Sequence, residues 1–169
     1  MGGERGGEPR WRREVPPTVS RNLVRLGLTL PEPPRPVAAY VPARIRGEYC
    51  WTSGQLPFRD GQLLWPGAVG GTVGVEQARE AARQAALNAV AAAAAVVGGV
   101  DHLGGVIKLV GYVHSAPGFF GQPEVVNGAS ELMLALFEEN GRHARSAVGV
   151  AALPLNAPVE IEVVFWVQR

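Results

Sequence analysis

The sequence is poor in cysteine. Cys50 stands alone among 169 residues, which excludes an internal disulfide framework and any zinc site built from several thiolates. Cys50 lies in an apolar stretch and is expected to be a buried small hydrophobe. Charge is also sparse: 18% of residues are charged and 47% hydrophobic, a balance that excludes an intrinsically disordered chain. Aromatics make up only 7%. The longest small apolar run, Ala85 to Val100, falls short of the ~20 residues of a spanning helix, and Ala is only weakly apolar. No apolar h-region follows the first Met, and Gly6 stands where a myristoylation signal needs Ser or Thr. The expected location is cytoplasmic, without membrane attachment.

The net charge of +1 conceals an asymmetry. Residues 1–46 sum to +5 and residues 47–169 to −4. The arginines of the basic part are mixed with Glu, Gly and Pro and do not alternate with aromatic platforms, so the expectation is a solvated arm and not a nucleic-acid site. Residues 1–16 are expected to form a flexible arm. Residues 17–169 are expected to form a single domain, in which 17–36 is an extension with a short helix, Arg21 to Gly27, and a Pro-rich stretch. At this length a core can bury about 70% of the unfolded surface without staples.

The pattern then becomes regular. Strands are expected at Ala38–Val41, Glu48–Ser53 and Gln62–Trp65, with turns at Arg46-Gly47 and Asp60-Gly61. Val75 to Val97 is the strongest helix, rich in Ala, with Glu76 and Glu80 near its start and Gly98-Gly99 at its end. Val106–His114 reads as a strand, Pro123 to Asn140 as a second helix, and Ser146–Ala152 and Val159–Val167 as two further strands. This order implies an α+β domain, a mixed sheet with two long helices on one face. Its second face must also be buried, which points to oligomerisation.

Candidates for chemistry are few. No GxSxG, P-loop, HExxH or dinucleotide fingerprint occurs, and His102, His114 and His143 match no common metal spacing. Arg145 opens an apolar strand, where its rigid fork can grip a carboxylate by two parallel bonds. Glu160 and Glu162 share one face of the last strand, placed on the neighbour of the Arg145 strand. A structural ion pair between Arg145 and Glu160 is an equal alternative to a role in catalysis. Ser53-Gly54 ends a strand in a turn that lets backbone approach a ligand. Tyr40 reads equally as a strand residue, Asn127 as a polar helix residue, and His143 as an acid–base group or a solvated loop residue. Phe119-Phe120 is either a lid, with Phe120 against substrate, or a core anchor.

These blocks together resemble the Rid family, also called YjgF or L-PSP endoribonuclease-like. The resemblance is carried by Tyr40-Val41, by Trp51-Thr52-Ser53-Gly54-Gln55-Leu56-Pro57 and by Val125-Val126-Asn127-Gly128. It continues through Ala144-Arg145-Ser146-Ala147-Val148, Ala152-Leu153-Pro154 and Val159-Glu160-Ile161-Glu162. It covers the chain from about Pro36 onward. The leading segment around Leu26-Gly27-Leu28 and the Gly141-Arg142-His143-Ala144-Arg145-Ser146 run are most similar to a longer branch of the family. The resemblance implies a chorismate-mutase-like fold assembled as a homotrimer with clefts between subunits. It implies cofactor-free, metal-free hydrolysis of 2-imino or enamine acids to 2-keto acids and ammonia. In that reading Arg145 binds the substrate carboxylate, Glu160 positions water, and Ser53 and Gly54 line the pocket. Tyr40 comes from the adjoining subunit, and Asn127 is mainly structural. Two departures stand out: Ala147 replaces a family cysteine, and the loop from His114 to Gln122 is longer. The alternatives are a non-catalytic trimeric carboxylate-binding or regulatory protein and, with less support, a ribonuclease or translation inhibitor.

Overall fold

A computed structural model describes residues 18–33 and 39–168; the 1–16 arm and part of the Pro-rich stretch lie outside them. Among the described residues three α-helices and seven strands follow the order α1 (Thr18–Arg25), β1 (Ala43–Arg46), β2 (Tyr49–Thr52), β3 (Phe58–Arg59), β4 (Gln62–Leu63), α2 (Val75–Val97), β5 (Leu103–His114), α3 (Gln122–Phe137), β6 (Ala144–Val150), β7 (Val159–Val167). Five strands form one sheet in the order β1-β2-β7-β5-β6, and β3 and β4 form a separate hairpin. Every pairing in the large sheet is antiparallel except β5 with β6, which α3 joins as a crossover. The mixed α+β arrangement is the one expected from the sequence.

The last strand shows why the sheet has an inside. Val159, Ile161, Val163, Phe165 and Val167 are buried, while Glu160, Glu162, Val164 and Trp166 alternate on the other face. Each fully buried side chain of this kind stabilises the fold by about 1.5–3 kcal/mol. The covering layer is α2 and α3. A nearly unbroken set of buried alanines along α2 lets it lie close to the strands. Gly128 of α3 faces the backbone of Arg79 in α2, where any Cβ would collide, so the two helices cross at close range. Gly98 closes α2 in the left-handed conformation at φ 90°, which glycine adopts without strain.

Three local expectations are corrected. The first strand is not Ala38–Val41 but Ala43–Arg46, because Ala39 and Tyr40 bend and Pro42, which has no N–H to donate, precedes the ladder. The short helix runs over Thr18–Arg25 and not from Arg21 to Gly27, with Ser20 inside it. The Ser20 backbone N–H and hydroxyl donate to Asp101 (2.9 and 2.6 Å). The second long helix ends at Phe137, with a 3-10 turn over Glu138–Gly141.

Candidate functional site

Arg145 lies on β6, the outer strand of the sheet, and pairs with Leu109 of β5. Its side chain therefore leans toward α3, on the helix-covered side. There its Nη1 donates to Asn127 Oδ1 at 2.7 Å and to Ser130 Oγ at 3.3 Å. Asn127 and Ser130 stand three residues apart on α3 and so share a helix face. Among the described residues no carboxylate forms an ion pair with Arg145. His143 stands behind this group. Its Nε2 faces Ser130 Oγ (3.0 Å) and its Nδ1 faces the Gly141 carbonyl. Burial holds the ring's pKa below its ordinary 6.5, the bond to Gly141 opposes that shift, and the Arg145 charge adds to it.

Glu160 belongs to a different place. It rises from the open face of β7, opposite Tyr112 of β5. Gln55 and Ile161 exchange backbone hydrogen bonds (2.8 and 3.0 Å), which seats the 53–55 turn beside β7. Gly54 then rests so close to the Glu160 carboxylate that a Cβ there would overlap it. Ser53 is turned away, its hydroxyl donating to the Val41 carbonyl at 2.7 Å. Burial first, and the Glu162 charge second, raise the Glu160 carboxyl above its ordinary 4.5. Glu162 accepts a hydrogen bond from Tyr112 (3.3 Å), and burial together with Glu162 pushes the Tyr112 phenol up. A cleft of about 700 Å³ opens next to Gly54, lined among others by Tyr40, Leu56, Phe58 and Leu155. A second groove of about 380 Å³ between α2 and α3 is lined by charges that include the Arg79–Glu131 ion pair (2.9 Å), and it holds none of the expected site residues.

The expected neighbours Arg145 and Glu160 are not neighbours in the chain's own fold. β5 lies between their strands, and Val163, three residues beyond Glu160, is level with Leu109 and hence with Arg145. At ~4.8 Å per strand and ~3.3 Å per residue their Cα atoms are roughly 14 Å apart, and their side chains leave opposite faces. An ion pair between them within one chain is thereby ruled out. Phe120 joins neither group: it is 85% exposed, while Phe119 packs toward Gly70 and Gly121. Cys50 is fully buried as expected, and burial raises its thiol to about 11. Sequence reading passed over Ser130, although its position one helical turn after Asn127 signals a shared face, and over Tyr112. Among the described residues no cluster of three or more His, Cys, Asp or Glu is placed to hold a metal, and no helix is long and apolar enough to cross a membrane.

Comparison with known proteins decides the lineage of this arrangement. Residues 20–166 match the family described as "YjgF/chorismate_mutase-like, putative endoribonuclease". The chain belongs to the YjgF family. A relative, Protein TCP17 of Trypanosoma cruzi, is 43% identical over 145 residues, covering 85% of this chain and 91% of that protein. The crystal structure of Atu1372 from Agrobacterium tumefaciens, a protein of unknown function, is 40% identical with a TM-score of 0.83, covering 92% of this chain and 95% of its own. The YjgF gene product of E. coli is 28% identical with a TM-score of 0.56 and covers 82% of this chain and 94% of its own. The YjgF fold is thus shared with both, and the Agrobacterium protein follows this chain over more of its length.

Proposed function

We propose that the protein is a cofactor-free deaminase that hydrolyses small 2-imino or enamine acids to 2-keto acids and ammonia, in clefts formed between copies of a homotrimer. The observation that carries this reading is Arg145. It is a half-buried guanidinium, braced through one nitrogen, with no carboxylate among the described residues paired to it. Such a group is built to take an external anion, because a bidentate carboxylate pairs with two of its N–H bonds at once.

The second half of the chemistry needs a second copy. Glu160 stands on the open face, its Cα roughly 14 Å from that of Arg145 by strand geometry, with Gly54 against its carboxylate and the cleft that includes Tyr40 next to Gly54. That face presents Trp51, Val110, Val148, Val164 and Trp166, side chains that a neighbouring subunit would cover. In the assembled cleft the substrate carboxylate rests on Arg145 and its C=N carbon turns toward Glu160 of another copy. Water adds to that carbon and the imino nitrogen takes up a proton. The carbinolamine then expels ammonia and leaves the keto acid. Glu160 accepts the water's hydrogen bond, and burial, by raising its pKa above the ordinary 4.5, makes its carboxylate a better proton acceptor. Imines are already labile, so orientation supplies much of the acceleration; well-oriented reactants gain up to roughly 7–11 kcal/mol.

The test is ammonia release from freshly generated 2-iminobutanoate. The wild type should exceed the uncatalysed rate, and both Arg145→Ala and Glu160→Gln should return to it. A rate equal to the uncatalysed one across several imino acids sinks the deaminase. One observation favours a second reading, a carboxylate-binding regulator without turnover: Ala147 stands where the family carries a cysteine. In that case 2-oxobutanoate still binds the wild type and not Arg145→Ala, with no ammonia released. The acidic balance of residues 47–169, the part that carries the fold, weighs against ribonuclease action.

A further inference from the structure

We propose that Ser130 and His143 are positioning residues that hold the Arg145 guanidinium by Nη1 alone and so present its remaining edge, Nε–H and Nη2–H, as a ready fork for a carboxylate. This rests on the carboxylate-binding reading above, but the geometry of the brace is independent of it. The direction of every bond in the brace is forced. A guanidinium only donates, so Asn127 Oδ1 and Ser130 Oγ must both accept from Nη1 (2.7 and 3.3 Å). Ser130 then has its own proton to place, and the acceptor at hand is His143 Nε2 at 3.0 Å. That nitrogen must carry a lone pair, so the ring proton sits on Nδ1, where the Gly141 carbonyl receives it at 2.6 Å. One line of donors and acceptors runs from Arg145 through Ser130 and His143 to the backbone, and it closes only when the imidazole is neutral.

Protonating the ring reverses its last side-chain link. Nε2 becomes a donor aimed at an oxygen that already accepts from Arg145. The Ser130 proton loses its acceptor, and a second cation stands behind the guanidinium. Acid therefore loosens the brace. Among the described residues no other charge is set to offset this. Glu131, next to Ser130 on α3, is paired with Arg79 (2.9 Å). Glu139 of the 3-10 turn is paired with Arg142 (2.8 Å), and Glu138 lies 3.8 Å from Arg21. Lys108 of β5 reaches Ser146 Oγ (3.0 Å), and Ser146 alternates with Arg145 onto the opposite face of β6. Burial and the Arg145 charge lower the ring's pKa against the opposing bond to Gly141, in the direction the brace requires.

The experiment has two arms on the full-length protein. Long-range nitrogen NMR of the imidazole at neutral pH should show the Nδ1–H tautomer. Calorimetric titration with 2-oxobutanoate should show about tenfold weaker binding for Ser130→Ala and His143→Ala, with thermal unfolding run beside it to confirm the fold. His143→Gln is the decisive variant, because its amide can accept from Ser130 and donate to Gly141 but cannot titrate. It should bind within about twofold of the wild type at neutral pH and lose the wild type's weakening in mild acid. An Nε2–H ring overturns the proposal. So do alanine variants that bind as the wild type does while Arg145→Ala does not, or an acid-side loss that persists in His143→Gln. Failure of the wild type to bind any keto acid would instead overturn the carboxylate reading, and the tautomer alone would then decide whether the brace exists.

Discussion

On β7 the residues that face the helices are Val159, Ile161, Val163, Phe165 and Val167, all buried; those between them are Glu160, Glu162, Val164 and Trp166, all partly open. One strand thus carries two different surfaces. The inner one is closed by α2 and α3 of the same chain and needs nothing else. The outer one mixes aromatics with carboxylates and a lysine, and it holds the Glu160 half of the candidate site, apart from Arg145. The contrast teaches that the candidate site is split across the sheet: Arg145 reaches the helix-covered side at the sheet's edge, and Glu160 stands on the other face. The inner face fixes the strands, and on the proposed reading a second copy of the chain completes the outer one.

This comparison can be broken in four places. The largest effect is expected at Phe165, which is fully buried and tilts against Phe137 with ring centroids 5.8 Å apart. Phe165→Ala should cost about 3–5 kcal/mol in urea unfolding; a cost near zero would mean that the inner face is not the core. On the outer face, Trp51 is 44% exposed and meets Tyr49 edge-on at 5.7 Å. Trp51→Glu should leave the circular dichroism of the chain intact and weaken assembly by at least about 2 kcal/mol in sedimentation equilibrium. An unchanged assembly would show that another surface joins the copies.

Gly54 sharpens the comparison within the outer face. Gly54→Ala places a methyl group where the Glu160 carboxylate lies, so that side chain must swing aside. Keto-acid binding should fall about tenfold while stability changes by less than about 1 kcal/mol, as read by calorimetry and unfolding on one preparation. The smallest effect concerns titration. Burial and then Glu162 raise the Glu160 pKa above 4.5. Above that ordinary value the folded chain keeps a proton that the unfolded chain releases, so stability falls as pH rises from 4.5 through the raised pKa. His143 acts in the opposite sense. Its lowered pKa makes its share of stability complete above 6.5 and lost as pH falls below it toward the folded value. Glu162→Gln should lower the Glu160 midpoint seen by carboxyl carbon NMR and leave the His143 midpoint where it was, since the two groups lie on opposite faces. A joint shift would show that the faces are electrically coupled.

Where a signal was local, sequence reading served well. Val75 to Val97 and Val159–Val167 have the same ends in the structure as in the pattern, because alanine propensity, a terminal glycine and strict alternation are properties of neighbouring residues. The turn at Asp60-Gly61 is likewise present, with φ of 51° and 78°. Strand placement failed over 39–41, the described part of Ala38–Val41, where Tyr40 and Val41 favour a strand but are followed by a proline, and the ladder begins at Ala43. Partnership failed at Arg145 and Glu160. Each was singled out correctly as a polar residue on an apolar strand, yet they were read on adjacent strands, and β5 runs between them.

The sequence by itself determined the elements, the apolar layer beneath the helices and the residue types able to grip an anion, since these depend on contacts a few positions apart. Only the tertiary structure decided that Arg145 is braced by Ser130 and His143 and that Glu160 stands on the far side of the sheet. Strand order and facing are set by long-range pairing and by the crossover through α3, and no spacing along the chain encodes which strand intervenes.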